Sequence, residues 1–237
     1  MSETSRGDRR RTATTAANGS AGRAPLRVVA IDGPAGAGKT TLARSVAAHL
    51  GLETLDTGAM YRSVAYTALK RGIDPADAEA VGGLARGLLL EVGEHVRVDG
   101  VDVTDAIRTP EVDAAVSIVA ANAQVRAEMV ARQRAWVARH GGGVVEGRDI
   151  GTVVLPDAQL KIYLTASSGE RVRRRALETA RQDLPAVARA LARRDRLDST
   201  RTASPLPTAE DMAADAVVID STGRDAEEVL KEVLAWM

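Results

Sequence analysis

The sequence predicts an α/β fold: a parallel sheet covered by helices on both faces. Three observations predict it. Apolar, β-branched runs alternate with longer helical patterns along most of the chain. The first run, LRVVAID, leads through the glycine-rich stretch GPAGAGKT (Gly33–Thr40) straight into a helical pattern. The length, 237 residues, suffices for one large core. Strand, helix, strand in this rhythm is the pattern of parallel strands joined by crossover helices.

Taken in order, residues 1–24 are polar, rich in Arg and Ala and without an apolar period. They read as a disordered tail ahead of a single domain over 25–237. A transit peptide is the weaker reading of that tail, given Glu3, Asp8 and the lack of an amphipathic stripe. LRVVAID is the first strand, and a helix starts at about Lys39. LETLD is the second strand, followed by a helix through MYRSVAYTALKRG. Between about Gly72 and Arg108 the rhythm breaks: EHVRVDGVDVT alternates around Asp99 and Gly100, the signal of a two-residue hairpin. An antiparallel hairpin inside a parallel α/β chain marks an inserted lobe. Gly141 to Gly143 end a helix. GGGVVEG, QLKIYLTA and DAVVID are further strands, the last two each followed by a charged helical stretch.

Composition excludes several classes. The 32 basic and 32 acidic residues cancel, so no global field draws the chain to nucleic acid or an anionic membrane. Phe is absent and aromatics are 2%, which denies it the platforms on which single-strand binders stack bases. Without cysteine there is no disulfide, thiolate nucleophile or Cys-ligated zinc, and a reducing, cytoplasmic setting fits. His49, His95 and His140 show no ligand spacing. No stretch approaches the roughly 20 apolar residues of a membrane span. Only Lys39, Lys70, Lys161 and Lys231 are lysine among the 32 basic residues, so arginine by itself identifies nothing here.

GPAGAGKT fits GxxxxGK[ST], the phosphate loop. Gly33 and Gly38 let the backbone turn its N–H groups toward phosphate oxygens, Lys39, read as an exposed loop lysine, reaches the terminal phosphates, and Thr40 offers a hydroxyl to Mg²⁺. Gly33, Pro34, Ala35, Gly36, Ala37 and Gly38, with Lys39, Thr40 and Thr41, are thus the candidate triphosphate site. A GTPase reads guanine through NKxD, but Asn18 and Asn122 are followed by glycine and alanine. An LSGGQ-like transporter signature is also absent. A small-molecule kinase remains, and such an enzyme must hold a second substrate, shield the developing charge and exclude water.

Three more segments, LDTGAMYR (Leu55–Arg62), EGRDIGTVVLPDA (Glu146–Ala158) and RRDRLDSTRTASPL (Arg193–Leu206), join IDGPAGAGKTT and IRTPEV. Together they closely resemble the bacterial-type cytidylate kinases, over nearly the whole chain from about Leu26. The resemblance implies a nucleoside monophosphate kinase fold with an NMP-binding lobe (about 56–130) and a short arginine-bearing lid (about 168–195). It implies transfer of a phosphoryl group from ATP to CMP or dCMP with Mg²⁺, by a monomer.

Carried over by residue, the resemblance places Arg62, Arg148 and Arg194 on the acceptor phosphate, where planar guanidinium forks suit the oxygens. Asp149 matches the base-reading aspartate, and Ser117 and Arg126 complete the cytosine site. Asp198 matches the ribose contact, with Arg201 beyond it. Thr57 replaces a serine of the substrate site and keeps its hydroxyl. Arg171, Arg174 and Arg175, at i, i+3 and i+4 on one helical face, match a lid. In it Arg171 and Arg175 join Lys39 and Arg148 as the catalytic charges, and Arg174 serves ATP. Glu146 stands where the family often has Asp, which leaves its part in holding the metal open. The chemistry is consistent: a phosphate acceptor, with a second pKa of about 6, is largely ionised near neutral pH and needs no general base. Cytosine offers an amine donor where uracil offers a carbonyl, and a carboxylate accepts from that amine. Without the resemblance, Ser117 reads as helix packing and RDRLDSTR as an exposed helix with i,i+4 ion pairs.

Two other readings stand beside this one. A related kinase acting on uridylate, adenylate or shikimate keeps the phosphate loop; a hydroxyl acceptor calls for a base, and Asp32 is the one candidate. A nucleotide-binding switch or nucleic-acid-associated protein, using the phosphate loop only for affinity, is opposed by the neutral charge, scarce aromatics and missing NKxD.

Overall fold

The computed structural model describes residues 27–179, 182–208, 211–212 and 216–237; the expected tail lies outside them. Five strands form a parallel sheet: β1 (Val28–Asp32), β2 (Thr54–Asp56), β6 (Gly143–Glu146), β7 (Leu160–Thr165) and β8 (Ala216–Asp220), in the order β2-β6-β1-β7-β8. β1, at the centre, lies between β6 and β7, so the residues at its end emerge where the connections diverge to either side. Ligands gather at such points in open α/β sheets.

The two faces of the sheet bury different clusters. Ala30 and Val145 point into one, with Met60 and Val64 of α2 (Thr57–Lys70) and Met129 of α5 (Ala123–His140). Val29, Ile31 and Val144 point into the other, with Leu42 and Val46 of α1 (Lys39–Leu50) and Val229 and Val233 of α8 (Ala226–Leu234). Strands buried on both faces need continuous apolar runs, which is what VVAID and GVVE supply. The helix starts follow local capping chemistry: Asp56 accepts from Ala59 N at 3.0 Å at the head of α2, and Asn122 accepts from Gln124 N at 2.9 Å at the head of α5.

The inserted lobe is present, and larger than the expected hairpin. β3 (Leu90–Val92), β4 (Val96–Val98) and β5 (Val101–Asp102) make a three-stranded antiparallel sheet. Asp99 (φ 50°) and Gly100 (φ 79°) form the β4–β5 turn with both residues at positive φ, as a type I′ turn requires. α3 (Ala78–Gly87) precedes this sheet, and α4 (Pro110–Ala121) follows it, with Thr109 as cap and Pro at its first position. α6 (Ser168–Glu178) and α7 (Leu184–Thr200) pack against each other after β7, and α7 also packs on α4.

Candidate active site

β1 carries the chain into the phosphate loop, and the loop has no room for side chains where glycine stands. A Cβ on Gly33 (φ 142°) would lie 2.0 Å from the Leu164 carbonyl oxygen; one on Gly36 (φ 76°) would lie 2.9 Å from that of Arg171. α1 then begins at Lys39 with no side-chain cap on its first N–H groups, which leaves them for an anion. Lys39 is 7% exposed and its Nζ donates to the Pro34 carbonyl at 2.9 Å. The exposed loop lysine of the sequence reading is therefore buried. Burial first, then repulsion from Arg148, lowers its pKa to about 7, although Glu146 pulls the other way.

A cavity of about 470 Å³ runs from this loop to α4, α5 and α7. Lys39, Thr40, Thr41, Thr57, Arg62, Ser117, Arg126, Glu146, Arg148, Asp149, Arg175, Arg194, Asp198 and Arg201 all line it. Asp198 gathers one group of them. It accepts from the Ser117 hydroxyl at 2.9 Å and from Arg148 Nε at 3.1 Å, with Arg194 Nε 3.8 Å away. Arg148 also donates to the Gly33 carbonyl at 3.0 Å, tying the end of β6 to the phosphate loop. Arg194 Nε and Arg201 Nη2 are buried and lack a hydrogen-bond partner. Buried donors are rarely left so, and two of them on one cavity wall favour an acceptor-rich ligand.

Asp149 organises the other group. It accepts from Arg126 and from the Ser204 hydroxyl, and Arg201 Nη2 stands 3.7 Å from its second oxygen. Ser204 holds φ at 55°, strained for a residue with a side chain, and its carbonyl accepts from Arg201 Nε at 2.6 Å. Arg126 also lies over the Tyr61 ring, 6.0 Å from its centre. Behind Asp149 the chain makes a five-residue π-helical turn, Ile150–Val154. Asp32 anchors that turn, accepting from Ile150 N and Gly151 N at 2.7 Å each. Burial raises the Asp32 pKa to about 6, but both its oxygens are engaged and it does not line the cavity.

The family model for cytidylate kinase matches residues 29–237. The chain belongs to the cytidylate kinase family. The cytidylate kinase of Desulfitobacterium hafniense (strain Y51) is 50% identical over 215 residues, 87% of this chain and 90% of that one. That of Pelotomaculum thermopropionicum is 48% identical over 217 residues, 87% and 94% of the two chains. This chain also matches the bifunctional pantoate ligase/cytidylate kinase of Synechococcus sp. (strain CC9605), 47% identical over 233 residues, and spans 48% of its length. The crystal structure of an uncharacterized protein from Eubacterium ventriosum ATCC 27560 superposes with a TM-score of 0.51 at 10% identity, covering 89% of this chain and 97% of that one. At that identity it shows the fold alone.

Within this cytidylate kinase family frame, two of the expected lid arginines are turned toward the phosphate loop's carbonyls. Arg171 Nη1 donates to the Ala35 carbonyl at 3.2 Å and to Asp195 at 2.6 Å. Arg174 donates to the Ala37 carbonyl at 3.0 Å and to the Ser221 carbonyl at 2.7 Å. Both clamp the phosphate loop through its carbonyls, and neither lines the cavity. Arg175, one residue on, does line it. Gly33, Pro34 and Ala37 form the back of the loop and do not line it either.

Thr40, Glu146 and Asp56 make the acidic corner of the cavity. Burial, then Asp56, raises the Glu146 pKa to about 7, while Lys39 and a hydrogen bond from Thr40 lower it. Among the described residues no group of three or more His, Cys, Asp or Glu is placed to hold a metal. Two carboxylates and a hydroxyl do fit Mg²⁺, which takes few protein ligands and completes its shell with phosphates and water. Thr57 faces the same cavity but donates its hydroxyl to the Glu146 carbonyl at 2.7 Å.

Sequence reasoning missed Asp113, Ser204, Asp56 and Tyr61. Asp56 sits inside the quoted LDTGAMYR, where its helix-cap role was legible. Ser204 sits inside the quoted RRDRLDSTRTASPL, but nothing local in that stretch points to Asp149; only the fold brings the two together. Among the described residues no helix is long and apolar enough to cross a membrane.

Proposed function

We propose that the chain transfers the γ-phosphoryl group of ATP to the phosphate of CMP or dCMP, giving ADP and CDP or dCDP. The observation that carries this reading is one cavity with a phosphate loop, an arginine cluster and a carboxylate-guanidinium pair, Asp149 with Arg126, along its wall. The loop takes the triphosphate, the cluster takes the acceptor phosphate, and the pair faces the base.

The acceptor oxygen is ionised near neutral pH, so the protein's task is to position two anions in line and shield the charge between them. Arg62, Arg148 and Arg194 hold the acceptor phosphate. Lys39 and Arg175 stand on the transferring group, where fixed charges are most effective. Asp149 accepts from the cytosine amine, Arg126 and Ser117 complete the base site, and Asp198 with Arg201 faces the ribose. Thr40, with Glu146 and Asp56 through water, would hold Mg²⁺, which when bound neutralises phosphate charge. Arg171 and Arg174 brace the loop from behind. Residues 56–130 then act as the acceptor lobe and 168–195 as the lid, whose movement excludes water. The reading includes a monomer working in the cytoplasm, with no nucleic-acid or membrane partner.

Turnover with ATP and, in turn, CMP, dCMP, UMP, AMP and shikimate tests it. CMP and dCMP should exceed the others by at least about a hundredfold in kcat/KM. A preference for AMP or shikimate overturns it. The shikimate reading is disfavoured because its one candidate base, Asp32, does not line the cavity and faces two backbone N–H groups instead.

A further inference from the structure

Arg62, Arg175 and Arg194 come from three different helices, and one carboxylate meets all three. Asp113 Oδ1 lies 2.5 Å from Arg62 Nη2 and 3.6 Å from Arg194 Nη1, and its Oδ2 lies 2.5 Å from Arg175 Nη2. Asp113 is on α4, in the acceptor lobe; Arg175 and Arg194 are on α6 and α7. The three guanidiniums line the main cavity, whereas Asp113 reaches them from a smaller cleft of about 300 Å³ between α4 and α7. Three crowded cations with little solvent need a counter-charge. A phosphate arriving from the cavity needs the same N–H groups.

We propose that Asp113 is a resident counter-anion for these phosphate-binding arginines, and that an arriving phosphate competes with it for Arg62, on the acceptor side, and for Arg175, on the transferring side. The carboxylate then stabilises the free protein and weakens acceptor binding, so one residue sets both quantities in opposite directions. The alternative is that Asp113 merely aims the arginines. Each arginine has a second anchor that argues against it: Arg62 Nη1 donates to the Ile107 carbonyl at 2.9 Å, Arg175 Nη1 to Glu178 at 3.2 Å, and Arg194 lies beside Asp198. With their placement kept, the loss of a negative charge within a few ångströms of the bound phosphate dominates. Burial opposes ionisation of Asp113, but Arg62 and Arg175 hold its carboxyl below the usual range, so the anion persists at neutral pH.

This inference rests on the acceptor-phosphate assignment above, and its test is independent of CMP turnover. Binding of inorganic phosphate to the full chain, without nucleotide, is measured calorimetrically for the wild type, Asp113→Asn and Asp113→Glu. The Asn variant should bind phosphate at least about fivefold more tightly, melt several degrees lower without phosphate, and gain more in melting temperature from added phosphate. The Glu variant, which keeps the charge, should stay near wild type in phosphate affinity. A structural role alone lowers the melting temperature and leaves phosphate affinity unchanged or weaker, and that result overturns the proposal. If the Asn variant folds only in phosphate, the added anion has replaced the carboxylate and the proposal stands; if phosphate does not restore it, the proposal fails. A wild type that binds phosphate but does not phosphorylate CMP would overturn the proposed function and leave this result intact.

Discussion

Ser117 on α4 donates its hydroxyl to Asp198 on α7 across 2.9 Å, joining the two helices at the cavity wall. The same carboxylate receives Arg148 from the end of β6. Three separate segments thus share one buried acid, and burial alone would make that acid costly. Arg148, Arg194 and Arg201 outweigh the burial and hold the Asp198 carboxyl below its usual range. Asp198→Ala leaves those arginines without their anion, and we expect a loss of about 3 kcal/mol in urea unfolding. Ser117→Ala removes one hydrogen bond and should cost about 1 kcal/mol. A stability loss for Asp198→Ala no larger than for Ser117→Ala contradicts the hub role.

Lys39 is buried against repelling arginines, so its charge serves the ligand more than the fold. Lys39→Met keeps the apolar stem and removes the charge. The melting temperature should stay the same or rise, while kcat falls more than tenfold, the equivalent of at least ~1.4 kcal/mol of transition-state stabilisation. Turnover above a tenth of wild type would remove Lys39 from the transferring phosphate.

The same lysine predicts a proton linkage. With a pKa of about 7 in the free protein, Lys39 is mostly neutral at pH 8. A triphosphate beside it favours the charged form, so binding takes up protons, at most about one from this group. Glu146, also at about 7, is mostly ionised at pH 8, and an added polyanion raises its pKa, so its contribution has the same sign. Below about pH 6 both are already protonated and the uptake disappears. Calorimetry of metal-free ATP binding in buffers of different ionisation enthalpy measures this directly. No uptake at pH 8, or an uptake unaltered by Lys39→Met, contradicts it.

The sheet, its parallel sense and the hairpin turn were all legible in the sequence because they depend on local chemistry. Apolar runs specify strands, and Asp99-Gly100 supplies two positive-φ residues. The phosphate loop was legible for the same reason, since its spacing is set by one backbone turn. What was not legible depends on long-range packing. Lys39 turns back into the fold, donating to the Pro34 carbonyl with Arg148 near enough to repel it; α6 aims Arg171 and Arg174 at loop carbonyls, while Arg175, next along the helix, reaches the cavity. Asp113 is one of two acids in the first turn of α4, a placement favourable to the helix dipole that marks no ligand. Its three arginines are contributed from sequence distances of 51, 62 and 81 residues, which no local pattern encodes.

Asp149 gives the sharpest test of substrate choice. Its carboxylate is 8% exposed and shared by Arg126 and Ser204, so it keeps acceptor capacity for a base amine while being fixed in direction by the strained Ser204 loop. UMP would bring a carbonyl to that acceptor, and the repulsion adds to the missing bond in a site with little water. Asp149→Asn supplies a donor that can turn to the uracil carbonyl. It also removes the charge opposite Arg126, so some stability is lost whichever base is bound, and absolute rates alone decide nothing. The ratio decides. We expect kcat/KM for CMP to fall on the order of 10²-fold while UMP falls much less, a differential of several kcal/mol. Ser204→Ala is the control: it loosens Asp149 without changing its charge, so both substrates should decline together and the preference for CMP should survive. A CMP to UMP ratio unchanged in folded Asp149→Asn would falsify the base-reading role and leave Asp149 as the anion that holds Arg126.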